Sequence, residues 1–410
     1  MKNPIRILAA LMIIAALAVN YGCKDDDPTP LDVSTMTVGG ADLNGATSPT
    51  GVATDATIEV NFSTNVDAST ATASNIKLTR DYDDADVPLT ITPDGSKITI
   101  KPTNELNAGN LYVLTITEGL KSDKGLTLTS LTRNFTTAGF FTPDGLAGYW
   151  TFENNGDDAM GEHNSNNSID MEFVDGRNTA AGKAASFNGT TSVMEVPNGD
   201  DFLDSENFAL SMWVKPDASN THGHFVIGLA GFLGFQYEIA QDMGSAKLAA
   251  KYHLANGEIR GDETWWNGEG LTEDSWVGWS FSKDVGGSAG VKPIFTDKWV
   301  HVVCTFNAST KISTMYLNGE KVKEVDFKLY PDDRTGIVGV AYGGNTNAPG
   351  NNLVFGFTQS ISEENRSLSD SWAAYENVDN NHFKGQLDDV RIFKRAITAE
   401  EIASIYNSEK

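Results

Sequence analysis

The chain predicts an all-β protein of two sandwich modules closed by one short C-terminal helix, and three observations carry that expectation. Apolar residues recur at every second position in many short runs, which gives each run one buried face. Between these runs lie polar, glycine-rich stretches; 39 glycines against 13 prolines favour turns over long helices. At 410 residues the chain exceeds what one ordinary core organises, so more than one domain is expected.

The N-terminus reads as a targeting segment of residues 1–22. Lys2 and Arg6 supply positive charge, and Ile7 to Val19 is an unbroken apolar run. That run is shorter than the roughly 20 residues a spanning helix needs, so the segment is expected to be removed. Gly22-Cys23 follows it and resembles the lipobox of bacterial lipoproteins, although Asn20 stands where that pattern has a leucine-like residue. Lys24-Asp25-Asp26-Asp27 resembles the acidic signal that directs some bacterial lipoproteins to the outer face of the outer membrane. The resemblance implies lipidation of Cys23, a membrane anchor, and an outer-membrane location facing the exterior. An ordinary secretory peptide that leaves a free cysteine is the alternative.

After a tether of residues 23–32, a first module of residues 33–138 alternates cleanly. Ile58, Val60 and Phe62 share one face, as do Tyr112, Leu114 and Ile116, while Pro93-Asp94-Gly95 marks a turn. A sandwich of about 100 residues follows. GVATDATIEVNFSTNVDAST, GSKITIKPTNELNAGNLYVLTIT and LTRNFTTA resemble the bacterial Ig-like domains of exported proteins, which implies a spacer. The module has neither tryptophan nor cysteine, so it lacks the disulfide pin of antibody domains.

Residues 139–144 link this module to a second, residues 145–410. KAASFNGTTSVMEVP, FALSMWVKP and KWVHVVCTFN read as strands, and Asn318-Gly319 suits the positive φ angles of a hairpin turn. Cys304 shares one strand face with Val300, Val302 and Phe306, so it is expected as a buried thiol without a disulfide. At the end, Thr398 and Glu401 form a capping box with Ile397 and Ile402 as its staple, which predicts one terminal helix. GLAGYWTFENNGDD, GKAASFNGTTSVMEVP, FALSMWVKP, DKWVHVVCTFN and FKGQLDDVRIFKRAITAEEIASIY, in that order, resemble the laminin-G-like, concanavalin A-like jelly rolls. That resemblance implies two curved antiparallel sheets. Residues 257–292 are the least family-like and read as inserted, with no helix expected before the terminal one.

The formal charge of −25 repels phosphate backbones and argues against nucleic acid as a partner. Acidic residues also supply hard oxygen ligands. The jelly-roll resemblance implies a structural calcium joining Glu153 to Asp388. Strict alternation places Asp388 with Val390 and Ile392, and Asp389 opposite; a carboxylate on so apolar a face needs a partner. Asp157, Asp158, Asn198 and Asp200 are further acidic or amide candidates from adjoining loops. His222-Gly223-His224 offers two imidazoles but no third zinc ligand, which favours ordinary loop polarity.

Glycoside hydrolases of this superfamily carry E-x-D-x-x-E on one strand. Here Glu324-Val325-Asp326 ends on Leu329, and the motif fails. A catalytic pair assembled from Glu263, Glu269 or Asp274 stays open. Binding is the favoured class, because a sugar ring wants an aromatic plane with amides and carboxylates around it. DETWWNGEGLTEDSWVGWS (residues 262–280) offers Trp265, Trp266 and Trp276 with Glu263 and Asn267, while Trp279 is expected buried; SWAAYENVDNNHF adds Trp372, Tyr375 and His382. Trp265 and Trp266 are adjacent, so an extended chain sends them to opposite faces. Trp213 and Trp299 are assigned to the core. The expected function is polysaccharide capture by a surface lipoprotein, with protein adhesion and glycoside hydrolysis as alternatives.

Overall fold

A computed structural model describes residues 30–271, 280–343 and 350–410. Cys23, the acidic run after it, Asp274, Trp276 and Trp279 lie outside the described residues. The chain divides after Gly139 into two compact units.

In the first unit two antiparallel sheets face each other. One runs in the order Ala41–Asp42, Val33–Val38, Ile58–Phe62, Lys97–Pro102, Leu89–Asp94. The other runs Ala85–Asp86, Ile76–Arg80, Leu111–Ile116, Leu131–Thr136. Period-2 alternation delivers Val60, Ile98, Ile76, Leu114 and Phe135 to the interior, where each is fully buried. The buried Tyr112 still meets a polar partner, because its hydroxyl accepts the Asn107 N–H at 2.8 Å.

The second unit is a sandwich of two larger sheets. In the first, Lys384–Phe393 pairs with Leu146–Trp150, Lys183–Asn188 and Phe208–Pro216, and the sheet continues through Val300–Asn307, Ile312–Leu317, Glu320–Asp326 and Ser280–Ser282. In the second, the order is Asn167–Ile169, Val193–Val196, Leu353–Phe355, His224–Leu229, Phe235–Ile239, Ala246–Leu254, Ile259–Trp266. Their inner faces supply Trp150, Leu210, Met212, Val302, Tyr237, Leu248 and Trp266 to one core. Cys304 sits there as a free buried thiol, and burial pushes its pKa up. Asn318 (φ 52°) and Gly319 (φ 78°) turn the hairpin as their residue types require.

The helix Ala399–Glu409 begins at the Thr398/Glu401 capping box. It covers the outer face of the first sheet: Tyr406 stacks 5.8 Å from Trp213, whose indole N–H donates to Glu409 Oε2 at 2.7 Å. Beneath it lies a buried ion network. Arg177 reaches Asp388 at 2.5 Å and Asp389 at 2.6 Å, and Arg391 reaches Glu409 at 2.6 Å. Removing one member would strand an unpaired buried charge, so these pairs hold the helix in one position.

Three local expectations are corrected. Asp388 does not share a side with Val390 and Ile392: a bulge in Lys384–Phe393, with Asp389 at φ 46°, sets Trp213 opposite Asp388 and Ser211 opposite Arg391. The extra residue resets the alternation, so Asp388 and Arg391 both face outward toward the helix. Within residues 257–292, read as inserted, Ile259–Trp266 is a regular strand of the second sheet. A second helix, Ser288–Phe295, buries Val291 and Phe295. Trp299 precedes its strand on the outward parity and is only half-buried, whereas Trp213 is buried under the helix rather than between the sheets.

Two buried histidines make stability depend on pH. Burial, then the nearby Arg391 and Arg177 charges, pulls His301 down to about 3; burial pulls His224 down to about 4 against the opposing Asp217. Both are neutral when folded and take a proton near 6.5 when unfolded. Their contribution is therefore complete above about pH 6.5 and is lost as pH falls through about 4 and then about 3. Thermal unfolding should show Tm falling between about pH 7 and about pH 4, with a shallower fall in His301→Gln; a flat profile would contradict this.

Candidate functional site

Ala246–Leu254 pairs with Ile259–Trp266 in the register Ala246 with Trp266, Lys247 with Trp265 and Ala249 with Glu263. Ala246, Leu248 and Trp266 therefore point inward, and Lys247, Ala249, Glu263 and Trp265 point outward. Trp266 is 0% exposed, and its indole N–H donates to the Lys283 carbonyl at 2.9 Å. Trp265 is 48% exposed. The adjacent tryptophans have thus split into a core residue and a surface plane.

The next strand places Glu238 opposite Lys247. Lys247 Nζ lies 2.6 Å from Glu238 Oε1 and 3.0 Å from Glu263 Oε1. Gln236 Nε2 donates to Glu238 Oε2 at 2.9 Å, and the Thr358 hydroxyl donates to Gln236 Oε1. Burial opposes the charge on Lys247, but the two carboxylates outweigh it and hold the ammonium above its ordinary range. The result is a fixed polar ladder across three strands, with an indole standing at its end.

A cleft of about 490 Å³ opens over this ladder, lined by Glu238, Lys247, Glu263 and Trp265 and walled by His222, Gln241 and Asn381. Carboxylates, amides and one aromatic plane together suit a ligand with an apolar face and hydroxyl edges.

Other expected residues fall elsewhere. Trp266 belongs to the core and cannot touch a ligand. Asn267 is outside the cleft lining, its Oδ1 accepting the Glu269 N–H in a local turn. Tyr375 packs on Phe357 and His382 while its hydroxyl donates to the Thr191 carbonyl, a packing role. Trp372 is 36% exposed, stacks 6.1 Å from Phe232 and meets Phe225 edge-on, on the same sheet face as the cleft. Glu238, Lys247, Gln236 and Asn381 escaped the sequence reading, and His222 was read there only as loop polarity, because strand pairing rather than any local motif gathers them.

For a cation, Asp388 Oδ2 is held by Arg177 whereas Asp388 Oδ1 is buried without a partner. The Glu153 carboxylate accepts the Lys183 N–H at 3.0 Å. Both acids border one loop, closed where Gly176 N–H donates to the Gly182 carbonyl at 2.9 Å; a Cβ on Gly176 would meet Asp388 and one on Gly182 would meet Glu153. Among the described residues no three His, Cys, Asp or Glu are grouped to share a metal, so a cation here would draw on the two acids and backbone carbonyls. Asp158 is already saturated by the N–H groups of Tyr149, Met160, Glu162 and His163. His224 is buried and His222 lines the cleft, so the two do not form one zinc site.

Residues 28–137 match the family described as bacterial Ig-like domain, and residues 188–355 match the concanavalin A-like lectin/glucanases superfamily. No curated protein is significantly similar to the chain. Among solved structures, the binding domain of Paraclostridial Mosquitocidal Protein 1 is 17% identical with a TM-score of 0.39, the match covering 65% of this chain and 52% of that one. The receptor binding domain of botulinum neurotoxin D is 16% identical with a TM-score of 0.39, covering 65% and 53%. The botulinum neurotoxin type G receptor binding domain is 14% identical with a TM-score of 0.36, covering 64% and 51%. The chain spans about half the length of each.

The split of the tryptophans is testable by stability alone. Trp266→Ala should lower the unfolding free energy by about 3–5 kcal/mol, whereas Trp265→Ala should change it by less than about 1 kcal/mol. Equal losses in denaturant unfolding would contradict the inward and outward assignment.

Proposed function

We propose that this chain, a bacterial Ig-like domain followed by a concanavalin A-like domain, captures carbohydrate in the cleft beside Trp265. The observation that carries this reading is the exposed Trp265 indole beside the rigid Glu238–Lys247–Glu263 ladder. An indole contributes dispersion against the C–H face of a pyranose, and prealigned carboxylates accept its hydroxyls without further ordering cost.

Hydrolysis is the second reading, because Glu238 and Glu263 share one ammonium and so lie within about 6 Å, near the spacing of retaining glycosidases. The same ammonium opposes it. Lys247 Nζ, 2.6 Å from Glu238 Oε1 and 3.0 Å from Glu263 Oε1, stands in the gap that a scissile bond would have to enter. Capture without turnover is the better fit.

In the proposed setting, a lipid on Cys23 anchors the chain at the outer membrane and the Ig-like domain acts as a spacer. A calcium there would be held by Glu153 and Asp388 and would brace sequence-distant segments against each other.

Isothermal titration against soluble polysaccharides should find at least one ligand, with affinity lowered about tenfold or more in Trp265→Ala. No binding across a broad panel, or binding indifferent to Trp265, would contradict capture here. New reducing ends that vanish in Glu263→Gln would replace capture by hydrolysis. For the metal, calcium should raise Tm by roughly 5 °C over the chelated protein and do so less in Glu153→Gln; an unchanged Tm would remove it.

A further inference from the structure

We infer that the same sheet face carries a second station, formed by Trp372, Phe232 and Lys251, that takes a sugar ring bearing a carboxylate. This rests on the glycan reading of that face and names the kind of sugar it selects.

The aromatic pair is built rather than loose. Phe232 sits on the turn Gly231–Leu233, where Ala230 (φ 51°) and Gly231 (φ 57°) adopt left-handed backbone. Gly231 N–H donates to the Thr358 carbonyl at 2.7 Å, and a Cβ on Gly231 would collide with Leu368, so the turn is pinned to the segment that carries Trp372. Both rings nevertheless stay 36% exposed. Of the nine large apolar side chains exposed among the described residues, Phe232, Ile259, Trp265 and Trp372 lie along this one face. Such concentration marks a contact surface.

Lys251 supplies the charge. It lies on the outward row of Lys247 and Ala249, with Nζ 4.7 Å from the Phe232 ring centre. Among the described residues no carboxylate pairs with it; Lys215, Lys298, Lys311, Lys323 and Lys394 of the same unit share that, and what marks Lys251 out is the exposed Phe232 ring against its ammonium. The neighbours explain the missing carboxylate. Gly261 stands opposite Lys251 on one flanking strand, Gly234 accepts its backbone N–H on the other side, and Gly343 lies against its stem. Three glycines offer no side chain, which leaves the ammonium uncovered.

Half-burial without a partner is costly for an ammonium, and burial pulls Lys251 below its ordinary range. An incoming anion would relieve that cost with a charge-assisted hydrogen bond. One ammonium matches one negative charge, and the adjacent indole matches a ring face. A hexuronate unit provides both; a neutral sugar would leave Lys251 unused.

Titration calorimetry of the full chain with tetragalacturonate and with its fully methyl-esterified form isolates the charge while keeping the rings. The acid should bind about tenfold more tightly than the ester, and added salt should shrink the difference. Lys251→Met, which keeps an apolar stem on Phe232, should erase the preference. Equal affinity of acid and ester in the unmodified chain, or a preference unchanged by Lys251→Met, would overturn the station; the first comparison needs no variant to fold. Neutral oligosaccharides that bind through Trp265 while the acid gains nothing would refute the station and leave the cleft standing. Failure of every saccharide would remove the glycan reading itself.

Discussion

One register governs the functional face: the antiparallel pairing that sets Ala246 against Trp266 and Lys247 against Trp265. In a strand the side chains alternate with period two, so this single alignment sends one indole to the core and its neighbour to the surface. A slip of one residue would bury the Glu263 carboxylate and expose Trp266. The large apolar content of Trp266, Leu248 and Leu254 on the inward parity is what forbids that slip. The same alignment sets Lys247 beside Glu263, and the pairing of Phe235–Ile239 with Ala246–Leu254 sets it opposite Glu238, so that one ammonium bridges both.

The two outer faces of the second unit solve different problems. On the first sheet the terminal helix and the Arg177, Asp388, Asp389, Arg391 and Glu409 charges form a closed, buried layer. Buried ion pairs add little net stability but penalise any displaced arrangement, so that face is specified and sealed. On the second sheet the segment carrying Thr358 and Trp372 crosses only part of the surface, fastened to Gln236, Gly231 and Phe225. The uncovered remainder holds the ladder and the exposed aromatics. Coverage of one face and partial coverage of the other decide where a ligand can sit.

Sequence made the architecture legible because it is written in local chemistry. The capping box of Thr398 and Glu401 and the Asn318-Gly319 turn each act over a few residues, and the alternation of Tyr112, Leu114 and Ile116 needs no knowledge of its partner strand. The opposite fates of Trp265 and Trp266 were legible for the same reason, but which one is buried depends on the partner strand. Asp388 misled because one residue in left-handed backbone at Asp389 resets a parity that no side chain announces. The cleft was legible only through Trp265 and Glu263; Glu238, Lys247 and His222 arrive from strands and loops whose pairing is non-local. Lys251 was invisible for a further reason, since its isolation comes from glycines at Gly234, Gly261 and Gly343 that sequence alone does not place around it.

In the proposed function, ligand recognition occurs on the outer face of the sheet containing Trp265. A crystal structure of the chain soaked with an oligosaccharide that it binds would test this most directly. A sugar ring should lie parallel to the Trp265 indole, with its hydroxyls on Glu238 or Glu263. A saccharide seated on the helix-covered sheet or on the Ig-like domain, with Trp265 left uncovered, would contradict it.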